Sequence, residues 1–162
     1  MATAGGSGGD ISGQKKGQVT RLVIGCGNPM RRDDGAGRAV ARALSHMGME
    51  AVEASGEAGG LLALFEVRRD VVLVDACASG SEAGTVHEFE AGTGPLPASL
   101  GTVSSHGFGA AAAIELARSL GALPPRLRVF AIEGTEFGHG EGLSPPVEAA
   151  VAALVRRLAR EA

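Results

Sequence analysis

The chain has 162 residues, a formal net charge of -3, 44% hydrophobic residues, five Phe and no Trp or Tyr. Interspersed charges and scarce aromatics exclude the basic face and stacking platform of a nucleic-acid binder. No apolar run reaches the ~18 residues of a membrane span. The two cysteines, Cys26 and Cys77, form neither a disulfide framework nor a metal-ligand spacing, and read as buried, reduced thiols.

Residues 1–20 are Gly/Ser-rich and lack a hydrophobic stretch, so they read as a flexible tail rather than a signal peptide. Residues 21–162 are expected to form a single domain, and the protein is expected in the cytoplasm. Residues 21–26 predict a first strand. Helical spacing of Ala36, Val40, Ala43, Leu44 and Met47 predicts a first helix over 34–47, with Arg38 and Arg42 on its outer face. Residues 50–55 predict a weak second strand and 58–67 a short helix. Val71 to Val74 is an unbroken apolar run, as in a central strand buried on both faces, and it ends on Asp75.

The loop from Ala76 to Ala83 leaves no room for a crossover helix, which takes about a dozen residues. The strand over 84–90 is therefore expected to be antiparallel and near an edge, with His87 and Phe89 on one face and Val86 and Glu88 on the other. A Gly/Pro/Ser-rich loop over 91–105 closes with Ser104, Ser105 and His106. A third helix over 107–120 is apolar nearly all round and is expected to be well buried. Residues 127–132 predict the last strand. Ser144 then caps the final helix, with Pro145 at its first position and Val147, Val151, Leu154, Val155 and Leu158 on its core face. This alternation gives an α/β fold, a three-layer α/β/α sandwich.

In such sheets ligands bind at the carboxyl ends of the strands. Asp33 and Asp34, Glu57, Asp75, and Glu133 with His139 fall there, and His106 stands at the start of the third helix. Asp33 reads as a helix cap, which leaves Asp34 without a structural duty. Glu57 reads as the cap of the short helix, His139 as solvent-exposed, and Arg31 and Arg32 as a solvated pair. Two carboxylates about 5 Å apart repel by on the order of 3 kcal/mol at an effective dielectric of about 20, so such a pair needs a proton or a cation. Asp34, Asp75 and His106 supply two oxygens and an imidazole nitrogen, three corners of a divalent metal site. A nucleotide reading of Gly25-x-Gly27 meets Met30 where a third glycine should stand, and the acids oppose a pyrophosphate. No G-x-S-x-G elbow is present. Cys77, near Asp75, has no evident base to make it a nucleophile.

The stretch from Leu22 to Gly37, LVIGCGNPMRRDDGAG, resembles the opening motif of the hydrogenase maturation proteases. Val74-Asp75-Ala76 is similar to the family's second acidic motif and Ser104-Ser105-His106-Gly107 to its histidine motif. Ile132-Glu133 and Gly142-Leu143-Ser144-Pro145 resemble its ending. The resemblance spans about residues 21–160. It implies a twisted, mostly parallel five-stranded sheet with one antiparallel strand. It also implies an endopeptidase that trims the C-terminus of a nickel-loaded [NiFe]-hydrogenase large-subunit precursor. Asp34, Asp75 and His106 would contact nickel carried by the substrate, with no permanent cofactor and no identified general base. The partner would be the precursor, and the protein would be a monomer. The chain departs from the family in having Asp at position 34, where some members have Glu, and an acid at Glu57. Two other readings remain open: a non-catalytic nucleotide-binding or metalloprotein-chaperone module, and a metallohydrolase with its own metal.

Overall fold

The computed structural model describes residues 20–97 and 109–162. The expected tail up to residue 19, and the segment with Ser104, Ser105 and His106, lie outside the described residues. The strands are β1 (Leu22–Cys26), β2 (Ala51–Ala54), β3 (Asp70–Cys77), β4 (Val86–Glu90) and β5 (Arg126–Glu133). The helices are α1 (Ala36–His46), α2 (Ala58–Phe65), α3 (Gly109–Ser119) and α4 (Pro145–Arg160). The sheet order is β2-β1-β3-β5-β4, parallel except where β4 runs antiparallel to β5 at the edge. The short β3–β4 link leaves this as the natural direction for β4.

Side chains alternate across the sheet and build one core on each face. Leu22, Ile24, Leu73, Leu127 and Val129 meet Leu61 and Phe65 of α2 and Ile114 of α3. Val23, Val72, Val74, Phe130 and Ile132 meet Val40 and Leu44 of α1 and Val147 and Leu154 of α4. The three layers are thus α2 and α3, the sheet, and α1 and α4.

Some local expectations change. A 3-10 turn over Arg32–Gly35 precedes α1, which starts only at Ala36. Met47 is 58% exposed, because the helix has ended and it sits at the C-cap rather than on the core face. α3 buries one face only: Ala110, Ala113, Ile114 and Ala117 are buried, whereas Ala112, Glu115 and Leu116 are exposed. Alanine on the outer face made the helix read as apolar all round. Its small side chain is tolerated on either side.

The order of strands reverses between β1 and β3. From β1 the chain moves outward through α1 to β2, and the strands after β3 lie on its opposite side. Ligand sites in open α/β sheets form at this switch point. Here α1 is pressed onto the two switch strands. A Cβ on Gly37 would lie 2.3 Å from the Val74 carbonyl oxygen and 2.5 Å from that of Cys26. A Cβ on Gly25 would lie 2.0 Å from the Gly37 carbonyl oxygen. All three obstacles are backbone and cannot swing aside. Gly37→Ala is therefore expected to lower stability by about 2 kcal/mol or more, read as a shifted urea midpoint. An unchanged midpoint would contradict this close packing.

Candidate functional site

The pairing of β1 with β3 runs as far as Gly25 opposite Val74. Asp75 is the next residue, and it still pairs with Ala131 of β5. The strand does not end on Asp75, as its sequence suggested, but continues to Cys77. Asp75 therefore stands where β3 loses β1 as a ladder partner. Gly27 brings the second acid there. Its φ of +129° lies in the region that favours glycine. A Cβ at this position would lie 1.8 Å from the Asp34 carbonyl oxygen and 3.7 Å from Asp75 Oδ1. The Asn28 backbone N–H donates to Asp34 Oδ2 at 3.0 Å. The sheet edge thus gathers Asp34 and Asp75 around Gly27, while His106 lies outside the described residues.

Asp75 is 8% exposed. Among the described residues its carboxyl accepts one hydrogen bond, from the Ala76 N–H at 2.8 Å. Burial pushes its pKa up to about 7, the Ala76 N–H pulls it partly back, and the Asp34 charge adds to the rise. A cation placed between the two acids would reverse that shift.

Asp33 has a different role from the helix cap its sequence suggested. The residue at the start of the 3-10 turn is Arg31, and no side chain caps it. Asp33 is fully buried and faces the loop between β5 and α4. Oδ2 accepts the Thr135 N–H at 3.0 Å, the Glu136 N–H at 2.9 Å and the Ser144 hydroxyl at 2.9 Å. Oδ1 accepts the Ser144 N–H at 2.7 Å. Burial alone would raise the carboxyl, but these four donors hold it below the usual range. Ser144 does occupy the N-cap position of α4, with Pro145 beginning the helix, yet its hydroxyl serves Asp33 instead of the helix. Backbone bonds from Arg32 to Gly140 and from Asp33 to Glu136 close the same junction.

Glu57 sits at the N-cap position of α2, but its side chain makes no capping bond and is exposed. Its expected capping role is not seen. His139 is exposed, as expected, and so is His46. Arg32 pairs loosely with Glu136 at 3.9 Å, while Arg31 is half-buried beside Gly140.

A second polar group is not apparent as a unit from the sequence. Cys77, His87 and Glu133 lie at the same sheet edge, on three adjacent strands. Glu133 is 1% exposed. Its Oε1 accepts the Ser79 and Gly80 N–H groups at 2.6 and 2.9 Å. Its Oε2 accepts the Ser79 hydroxyl at 2.8 Å and the Cys77 thiol at 3.1 Å, with His87 Nε2 at 3.3 Å. Burial pushes the Glu133 carboxyl up, but these donors outweigh it and leave it below the usual range. Burial, and then the neighbouring Glu133 carboxylate, push the Cys77 thiol up, while burial with Asp75 does the same to Cys26, so without a cation both thiols favour the protonated form. The strand period of two put Cys77 on the face of Asp75 and His87 on the face of Phe89. Only the register of β4 on β5 brings them together.

Two tests follow from these acids. Asp33→Asn loses one acceptor and points an amide donor at N–H groups, so it should cost roughly 2–4 kcal/mol at neutral pH. With its pKa lowered, Asp33 contributes stability above the unfolded value of about 3.9, and this is lost as pH falls through the lower folded value. The wild-type advantage should therefore shrink in acid denaturation series below about pH 4. Asp75 behaves oppositely. Its folded pKa of about 7 lies above the unfolded one, so its contribution is complete below about pH 4 and lost as pH rises towards 7. In chelator, wild-type stability should decline by up to about 1.4 kcal/mol per pH unit across that window, and Asp75→Asn should flatten the decline. Equal slopes in urea titrations would place Asp75 in the ordinary range.

The hydrogenase maturation protease profile matches residues 40–161, which include Asp75 and Glu133 but not the Asp33–Asp34 pair. No curated protein sequence matches the chain significantly. Among solved structures, the chain is similar to the hydrogenase maturating endopeptidase HybD from E. coli, with 23% identity over 86% of this chain and 89% of that one, at a TM-score of 0.73. The [NiFe] hydrogenase maturation protease HybD from Thermococcus kodakarensis is 24% identical over 88% and 99% of the two chains, at a TM-score of 0.71. HycI from the same organism is 21% identical over 90% and 93%, at a TM-score of 0.63. These likenesses carry the fold, and the profile match carries the family: the chain belongs to the hydrogenase maturation proteases, a family of endopeptidases.

Proposed function

We propose that this protein is an endopeptidase that removes the C-terminal extension of a nickel-loaded [NiFe]-hydrogenase large-subunit precursor, and that it reads the nickel through Asp34, Asp75 and His106. The observation that carries this reading is the placement of Asp34 and Asp75 around Gly27 at the switch point of the sheet. Two acids that face one crevice, one of them buried with a single hydrogen bond among the described residues, form a receptor for a cation. A carboxylate pair with one imidazole leaves coordination positions open, which suits an ion already held by another protein. The nickel is part of the substrate. Bound there, it can polarise a nearby scissile carbonyl or lower the pKa of a water.

A nucleotide-binding module on the same scaffold is disfavoured by the same geometry. The crevice that would take a pyrophosphate at the start of a helix is occupied by two carboxylates, and their charge opposes an anion.

Incubation with nickel-loaded and nickel-free precursor, followed by mass spectrometry of the C-terminus, tests the proposal. Cleavage of the loaded form alone is expected. Cleavage of the nickel-free form would point to a metallohydrolase with its own ion, and cleavage of neither would sink the proposal. Asp34→Asn and His106→Ala should lose cleavage by at least about a hundredfold while remaining folded, the cost typical of a lost catalytic or electrostatic group. Unchanged rates would remove those residues from the site.

A further inference from the structure

We propose that Cys77, His87 and Glu133 form a second metal site, distinct from the Asp34–Asp75 crevice, which takes a zinc-class divalent cation through Sγ, Nε2 and Oε2. It goes beyond the proposed function and does not depend on it. Among the described residues these three donor atoms all lie within 4.8 Å of one another. Glu133 Oε2 is 3.1 Å from the Cys77 sulfur and 3.3 Å from His87 Nε2. In a tetrahedral zinc site, bond lengths of about 2.0–2.3 Å put ligand atoms about 3.5 Å apart. Both contacts to the carboxylate therefore already lie within a few tenths of an ångström of that spacing.

The surroundings are those of a built site. Glu133 Oε1 is held by two backbone N–H groups, from Ser79 and Gly80, which leaves Oε2 to face the other two donors. The Ser79 hydroxyl also donates to Oε2, an outer contact of the kind that orients a ligating carboxylate. Cys77 and Glu133 are buried, while the His87 side chain is 25% exposed and gives the ion a way in from solvent. Thiolate, imidazole and carboxylate together select a borderline ion such as zinc over magnesium or calcium. Two negative ligands and a neutral imidazole cancel a double positive charge, so the buried site is neutral when filled.

Binding replaces the proton between Cys77 and Glu133. The thiol releases its proton to solvent, the sulfur bonds to the ion as thiolate, and no electron is transferred. Three protein ligands leave a fourth position open. The ion would tie β3, β4 and β5 together at the edge that carries Asp75, and would revise the expectation that the chain carries no ion of its own.

Cobalt(II) is the probe. Titration of the reduced full-length protein with cobalt should produce a thiolate-to-cobalt charge-transfer band that saturates at one equivalent and bleaches on adding zinc. Cys77→Ser should abolish the band. His87→Ala, at a partly exposed position less exposed to folding failure, should weaken cobalt binding by more than the roughly tenfold lost with an outer-shell partner. Asp75→Asn should leave the band intact, which separates this site from the crevice. No band at saturating cobalt would overturn the proposal. So would a band that survives Cys77→Ser, which would assign it to Cys26, or cobalt affinity unchanged in His87→Ala.

Discussion

The contact on which the rest depends is the approach of α1 to β1 and β3, backbone against backbone. Gly37 lies against the Val74 and Cys26 carbonyls, and Gly25 against the Gly37 carbonyl. A side chain at either position would push the helix away from the sheet. The turn before the helix would move with it, and that turn carries Asp34 past Gly27 to Asp75. The glycines that first suggest a phosphate loop thus perform the packing part of that motif, close helix-to-strand contact, without its anion-binding part. The acids occupy the ground that the anion would need.

Three buried acids at this edge differ in how their charge is met, and the difference sorts their roles. Asp33 accepts four hydrogen bonds from the loop between β5 and α4, and Glu133 is surrounded by donors from the segment after β3. Both stay ionised because neutral donors replace the lost water. Each holds a loop to the sheet through groups that would otherwise be unpaired in the interior. Asp75 has a single such donor among the described residues and a like charge nearby, so its ionised form is the least supported of the three. Equal burial does not mean equal function. The count of donors separates the carboxylates held ionised from the one whose pKa rises.

The sequence made the fold legible because its signals are local. The apolar run before Asp75, the helical spacing of Ala36, Val40 and Leu44, and the short link to β4 each depend on neighbours in the chain. They place the layers and the antiparallel edge. The two acids could be picked out for the same reason, since Asp34 lies shortly after the apolar run of β1 and Asp75 directly after Val71 to Val74. What could not be read was non-local. Asp33 and Asp34 are adjacent and chemically identical, and only the fold turns one into the interior beneath Thr135 and Ser144 while the other stays half-buried at the crevice. Likewise Ser144 sits where a helix cap belongs, but a buried carboxylate from a distant loop is the stronger acceptor for its hydroxyl.

Register explains the Cys77, His87 and Glu133 group in the same terms. Cys77 is set opposite Glu133, and His87 opposite Ala131, by ladders whose partners are far apart in the chain. A one-residue slip of β4 would turn His87 to the other face of the sheet. The ladder is pinned from that other face, where Glu88 pairs with Arg128 and Arg157, and both guanidinium groups lie over the Phe130 ring at 5.3 and 5.2 Å. A surface ion pair contributes little to stability by itself. Here its larger effect is positional, because fixing Glu88 outward fixes His87 inward, beside the carboxylate at the end of β5.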